Sequence, residues 1–117
     1  PVDATLQVAC DDNRGLLNAA ALARMQPTAI LINTSRGAII DETALLDALR
    51  NGRLAGAGLD VIHGEWDAAL HDHPLIRYSR EQEKLIISPH IGGVTFESQR
   101  LAYEFLLKKL KGHLEHA

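Results

Sequence analysis

Three short apolar runs set the possible fold: Ala29-Ile30-Leu31-Ile32-Asn33, Gly56-Ala57-Gly58-Leu59-Asp60-Val61 and Leu85-Ile86-Ile87-Ser88. Each is too short for a stable helix, and helix signals lie before, between and after them. Asn18 can cap a short helix from Ala19 to Met25 that stops before Pro27. Asp41 can cap a second from Glu42 to Asn51, with Ala44, Leu45, Ala48 and Leu49 on one apolar face and Gly52 where a terminating glycine belongs. Thr95 can cap a third to about Lys111, where Lys108, Lys109 and Lys111 complement the helix dipole and Gly112 ends it. Thr5 to Cys10 reads as a further strand, and His63 to about Glu83 as a long loop. Alternating strands and helices of these lengths imply an α/β layer of parallel strands joined by right-handed crossovers. Ala29–Asn33 is expected to be buried on both faces of that sheet. Tyr103, Phe105, Leu106 and Leu110 are expected to be core residues of the last helix.

A chain of 117 residues holds at most one domain, and one this long can build a real core. Twelve basic against fifteen acidic side chains give a net charge of −3, with no Lys/Arg block. That balance argues against a nucleic-acid footprint. The apolar runs fall well short of the roughly 18 residues of a membrane span. The lone cysteine, Cys10, excludes an internal disulfide and fits a buried thiol in a reducing compartment. A cytoplasmic, soluble protein is the expectation. The first residue is Pro1, which fits either removal of an initiator Met or a chain cut from something longer.

In open parallel sheets ligands bind beyond the carboxyl ends of the strands. After the second strand of the sequence comes Asn33-Thr34-Ser35-Arg36-Gly37. Asp60 ends the third, with Glu65 five residues on, and the fourth runs into Pro89-His90-Ile91-Gly92-Gly93. Arginine, carboxylate and imidazole thus gather at one sheet edge. A guanidinium fork grips a carboxylate through two parallel hydrogen bonds. Imidazole gives or takes a proton near neutral pH, and a carboxylate beside it fixes the tautomer. The set suits a substrate with a carboxylate next to a carbonyl or hydroxyl, and a nicotinamide dinucleotide would supply the missing electron acceptor. Read singly, Arg36 is a surface arginine, Glu65 a solvated loop acid, His90 a satisfied loop histidine and Asp60 a strand-end cap. Their convergence favours function. His71-Asp72-His73 looks like a metal cluster, but no third ligand segment accompanies it, so no metal is expected.

From about Val2 to Gly112 the chain resembles the D-isomer-specific 2-hydroxyacid dehydrogenases. The resemblance is carried by Asn13-Arg14-Gly15-Leu16, Ile32-Asn33-Thr34-Ser35-Arg36-Gly37, Gly58-Leu59-Asp60-Val61, Asp72-His73-Pro74-Leu75 and Ser88-Pro89-His90-Ile91-Gly92-Gly93. It implies that Arg36 binds the substrate carboxylate and polarises the reacting carbonyl. His90 would be the general acid/base, with Glu65 keeping it in its proton-donating form. Cofactor contacts are implied for Thr34, Ser35, Arg36, Asp60, His90, Ile91, Gly92 and Gly93. The implied cofactor is NAD, with NADP open, and the implied substrate is a small 2-hydroxy or 2-oxo acid.

Two of the departures from the family pattern bear on the site. It lacks the G-x-G-x-x-G loop that cradles the pyrophosphate: Gly56-Ala57-Gly58 begins like one, but Val61 takes the third glycine position and the stretch enters a strand instead of leaving one. Trp66 stands where the family usually has proline. The expectation is a partial Rossmann-like parallel sheet with flanking helices over residues 1–117. It would be the C-terminal half of an NAD-binding domain, without its first βαβ unit or a substrate domain. Such a chain would be inactive alone. The other readings are one half of a split enzyme completed by a second chain, or a non-catalytic binding module of corepressor type. An uncovered first strand would promote self-association, and homo-oligomers are usual in the family.

Overall fold

A computed structural model describes residues 11–116. The order is α1 (Ala19–Ala23), β1 (Ile30–Asn33), α2 (Glu42–Arg50), β2 (Gly56–Leu59), α3 (Pro74–Glu81), β3 (Leu85–Ile87) and α4 (Phe96–Glu115). The strands form one parallel sheet in the order β1-β2-β3. Ile30 stands opposite Gly56, and Ala57 opposite Leu85. A lone parallel bridge between Leu17 and Ile40 ties the entry to α1 to the segment before α2. The expected strand from Thr5 to Cys10, and the thiol of Cys10, lie outside the described residues.

The helix starts follow the capping chemistry. Asn18 Oδ1 accepts the Ala21 N–H, Asp41 Oδ1 the Ala44 N–H, and Thr95 Oγ1 the Ser98 N–H. Helix α2 buries Leu45, Leu46, Ala48 and Leu49, a stripe turned slightly from the expected one. That stripe packs with Leu31, Leu59, Leu75, Tyr78 and Leu85 into a single core. Burying one such leucine side chain stabilises by about 1.5–3 kcal/mol.

Four expectations are corrected. β1 is not buried on both faces: Leu31 and Asn33 point inward, while Ile30 and Ile32 are exposed. Successive strands step in one direction, so right-handed crossovers place α2 and α3 on the same side. No described element covers the side that carries Ile30, Ile32 and Ile86. The stretch 63–83 is not a loop throughout, because α3 forms within it. Pro74 takes the first helical turn, and His73 Nδ1 accepts the Leu75 N–H as a cap. Finally, α4 runs through Gly112, and none of its residues is buried. Tyr103, Phe105, Leu106 and Leu110 are each at least 55% exposed, because no face of this helix is buried by the described residues.

Candidate active site

The carboxyl ends of the three strands carry the expected residues. After β1 the chain turns sharply, and the buried Asn33 shapes the turn. Its Oδ1 accepts both the Ser35 N–H and the Ser35 hydroxyl, and its Nδ2 donates to the Arg36 carbonyl. Thr34 and Arg36 are exposed and Ser35 is half-buried. The Arg36 Nη1 donates to the Ser35 carbonyl at 2.6 Å. Among the described residues Arg36 has no carboxylate partner, so most of its fork remains available.

Gly37 sets how closely this turn meets the next strand end. A Cβ there would collide with the Ile62 carbonyl carbon and the His63 nitrogen. Backbone therefore touches backbone, and only glycine fits. The contact brings Arg36 to one side of an open cleft of about 360 Å³, whose wall includes Arg14, Glu65 and Trp66.

After β3 the chain reaches His90, whose φ is +55°, the one positive value of a non-glycine residue among those described. A left-handed conformation costs such a residue about 1–2 kcal/mol, so the surroundings must enforce it. The imidazole Nδ1 lies 2.6 Å from Glu65 Oε1. An ionised carboxylate only accepts, so the proton sits on Nδ1, and Nε2 is left to exchange a proton with a ligand. Both side chains are partly shielded, 32% exposed for His90 and 19% for Glu65. The Trp66 ring lies 6.2 Å from the His90 ring, tilted by 35°. A second cavity of about 260 Å³ sits beside the pair, with Ile76, Ile87 and Leu70 among its apolar walls. Glu65 and Trp66 line both spaces and so stand between the Arg36 cleft and the His90 cavity.

Asp60, at the end of β2, is buried. Its Oδ1 accepts the Ser88 hydroxyl at 2.6 Å and the Ile91 N–H at 2.9 Å, and its Oδ2 accepts the Gly92 N–H at 2.8 Å. Burial alone would raise this carboxyl. The hydrogen bonds from Ser88, Gly92 and Ile91, together with the nearby His90, outweigh it and leave Asp60 below the ordinary carboxylate value.

The structure bonds His90 to Glu65, and Asp60 to Ile91 and Gly92. Arg36 joins them through the shared cleft wall, and Gly93 faces open space. Sequence reasoning missed Asn33, Ser88 and a second network. In that network Glu42 Oε1 accepts the His63 N–H at 2.6 Å, and His73 Nε2 donates to Glu42 Oε2 at 3.1 Å. Burial pushes the Glu42 carboxyl up, offset only in part by these partners. The one available signal was His73 directly before Pro74, a residue pair that suits a helix start. His71 meets Asp72 at 3.1 Å on the surface. No group of three or more metal-ligating side chains occurs among the described residues, and no described helix is long and apolar enough to cross a membrane.

A three-stranded parallel sheet with flanking helices, and candidate side chains gathered at its carboxyl ends, matches part of the Rossmann fold of dehydrogenases. Residues 5–92 match the NAD binding domain of the D-isomer specific 2-hydroxyacid dehydrogenases, and the chain belongs to that family. It is 46% identical over 90 residues to D-3-phosphoglycerate dehydrogenase of Bacillus subtilis, a match that covers 75% of this chain and 15% of that protein. The NAD-complexed D-isomer specific 2-hydroxyacid dehydrogenase of Lactobacillus delbrueckii ssp. bulgaricus superposes with a TM-score of 0.73 at 26% identity, covering 98% of this chain and 38% of that one. The NADPH-dependent glyoxylate/hydroxypyruvate reductase of Sinorhizobium meliloti, in complex with NADP and malonate, gives 0.69 at 29% identity, covering 94% and 33%. The chain spans only 15% to 25% of the length of the first curated relatives it matches.

Proposed function

We propose that this chain carries the nicotinamide end of a D-2-hydroxyacid dehydrogenase site, acting on a small 2-hydroxy or 2-oxo acid. The observation that carries the reading is the Glu65–His90 pair at 2.6 Å, which shares a wall with the cleft of Arg36, a residue with no carboxylate partner among those described. The residues fit a nicotinamide. A carboxylate offers about four acceptor positions; Asp60 has three filled by the loop, and the fourth suits an amide NH₂. Thr34, Ser35 and the stretch from His90 to Gly93 would complete the cofactor contacts. The bound nicotinamide supplies a hydride in reduction and accepts one in oxidation.

Arg36 grips the substrate carboxylate and turns the 2-oxo group toward His90. In reduction the His90 Nε2–H passes its proton to the carbonyl oxygen as that oxygen gains the electron pair of the C=O bond. Glu65 holds Nδ1–H, which aims Nε2 and compensates positive charge on the ring. In the oxidation direction Nε2 takes the hydroxyl proton.

The pyrophosphate is a different matter. No G-x-G-x-x-G occurs in these 117 residues, so its cradle would come from residues outside them, on a longer chain or a second one. Turnover by these residues alone is therefore not expected. A titration with NADH tests the reading. Trp66 is the only tryptophan, and its emission overlaps nicotinamide absorption, so binding beside His90 quenches it. Saturable quenching that His90→Gln weakens supports the assignment. Quenching indifferent to His90→Gln and Asp60→Asn, or none at millimolar NADH even with the cradle supplied, rejects it.

A further inference from the structure

His90 adopts a left-handed backbone conformation that is uncommon outside glycine, and its ring meets Glu65 at hydrogen-bond distance. Neither neighbouring glycine has a positive φ, so the strain is concentrated at the histidine. What enforces it lies on another strand. Asp60 faces the loop from the end of β2 and bonds to both sides of His90: to the Ser88 hydroxyl before it, and to the Ile91 and Gly92 amides after it. A third constraint is internal to the loop, where the His90 N–H donates to the Ser88 carbonyl at 3.0 Å. Gly92 has no room for a side chain, since a Cβ there would come within 2.9 Å of Asp60 Oδ2.

We propose that Asp60 is a positioning residue: its carboxylate clamps Ser88, Ile91 and Gly92, fixes His90 in its left-handed conformation, and so sets the imidazole against Glu65. Two successive amides aimed at one carboxylate form a small anion nest, here filled from within the chain. The amide bonds are charge-assisted and the group is shielded, which makes them strong for their kind. The depressed carboxyl of Asp60 is consistent with this, since it resists protonation that would weaken the clamp. The consequence for proton transfer rests on the reading of His90 given above. The clamp itself does not.

The test is an NMR measurement on the ¹⁵N-labelled full chain. The His90 Nδ1–H proton, assigned by its loss in His90→Gln, reports the bond to Glu65, and Glu65→Gln gives the signature of a weakened partner. In Asp60→Asn an NH₂ group replaces one carboxylate oxygen, so at least one loop donor faces a donor. The His90 resonance is expected to be lost to solvent exchange. Ser88→Ala keeps both amide bonds and should shift the resonance partway. Gly92→Ala displaces the carboxylate and should reproduce the loss. Glu42→Gln, in the separate network with His63 and His73, should leave the signal in place. If Asp60→Asn does not fold, Ser88→Ala and Gly92→Ala decide the matter. A wild-type His90 signal in the folded variants overturns the proposal. An intact clamp signature with no NADH binding by the cradle-completed protein instead refutes the functional reading and leaves the clamp standing.

Discussion

Two polar side chains are buried among the described residues, Asn33 at 4% exposure and Asp60 at 7%, and each ends a strand beneath a candidate catalytic residue. They work differently. Asn33 is neutral and acts on its own turn, with partners two and three residues away. Asp60 is charged and reaches partners 28 to 32 residues away on the next strand's loop. The first arrangement leaves Arg36 exposed with most of its donors unpaired. The second fixes His90, at the cost of backbone strain. A clamp for an incoming carboxylate tolerates side-chain motion, because the ligand completes its geometry. A proton donor must be aimed beforehand, so its support is spent on position.

The largest effect should come where the two regions touch. Replacing Gly37 with valine drives a branched side chain into the backbone at Ile62 and His63, which cannot yield without moving β2. We expect a loss of about 3 kcal/mol or more, read from the urea unfolding midpoint. Both the Arg36 turn and the Glu65 segment should be disturbed. A variant with unchanged stability would show that the two strand ends are not pressed together as described.

Next comes Asn33→Ala. It leaves the Ser35 amide and the Arg36 carbonyl without their partner, so about 1–3 kcal/mol should be lost. If the two anchors are independent, the His90 Nδ1–H signal stays where it is in this variant. Movement of that signal would merge the two regions into one unit.

Opposite pH dependences distinguish the charged networks. Asp60 is depressed in the folded state, so its contribution is complete above its unfolded value and is lost as pH falls through the folded one. Glu42 is raised, so its contribution is complete below its unfolded value and is lost as pH rises through the folded one. Urea midpoints followed from neutral to acid should therefore show a gain removed by Glu42→Gln, then a loss at lower pH softened in Ser88→Ala. Identical profiles for wild type and Glu42→Gln would contradict the raised carboxyl.

The same contrast explains what the sequence revealed. Helix caps at Asn18, Asp41 and Thr95 are local, and each was readable from its own few residues. That the strands run parallel followed from the alternation of strands and helices. The arginine, carboxylate and histidine were legible because a parallel sheet delivers its strand ends to one edge. Asp60 could be read as a cofactor contact but not as the loop's anchor, because nothing local links it to Ser88 and Gly92. Helix α3 was hidden for a similar reason: its cap is a histidine, an uncommon choice, supported from Glu42 on another helix. In α4 an apolar pattern was read as burial, but a pattern says only which face seeks cover.

The smallest effect should lie in the strain at His90. His90→Ala removes the bond to Glu65 and keeps a Cβ at φ +55°, whereas His90→Gly removes the same bond and relieves the backbone. The glycine variant should be the more stable by about 1 kcal/mol, even though glycine gains more entropy in the unfolded chain. The comparison cancels the lost hydrogen bond and isolates the conformational cost that the clamp sustains. Equal stability of the two would mean that the loop relaxes once the ring is gone, and that the imidazole's bond to Glu65 shares in holding the left-handed turn. A full difference would leave Asp60 and its amide donors as the anchor, with the ring carried on a backbone already shaped for it.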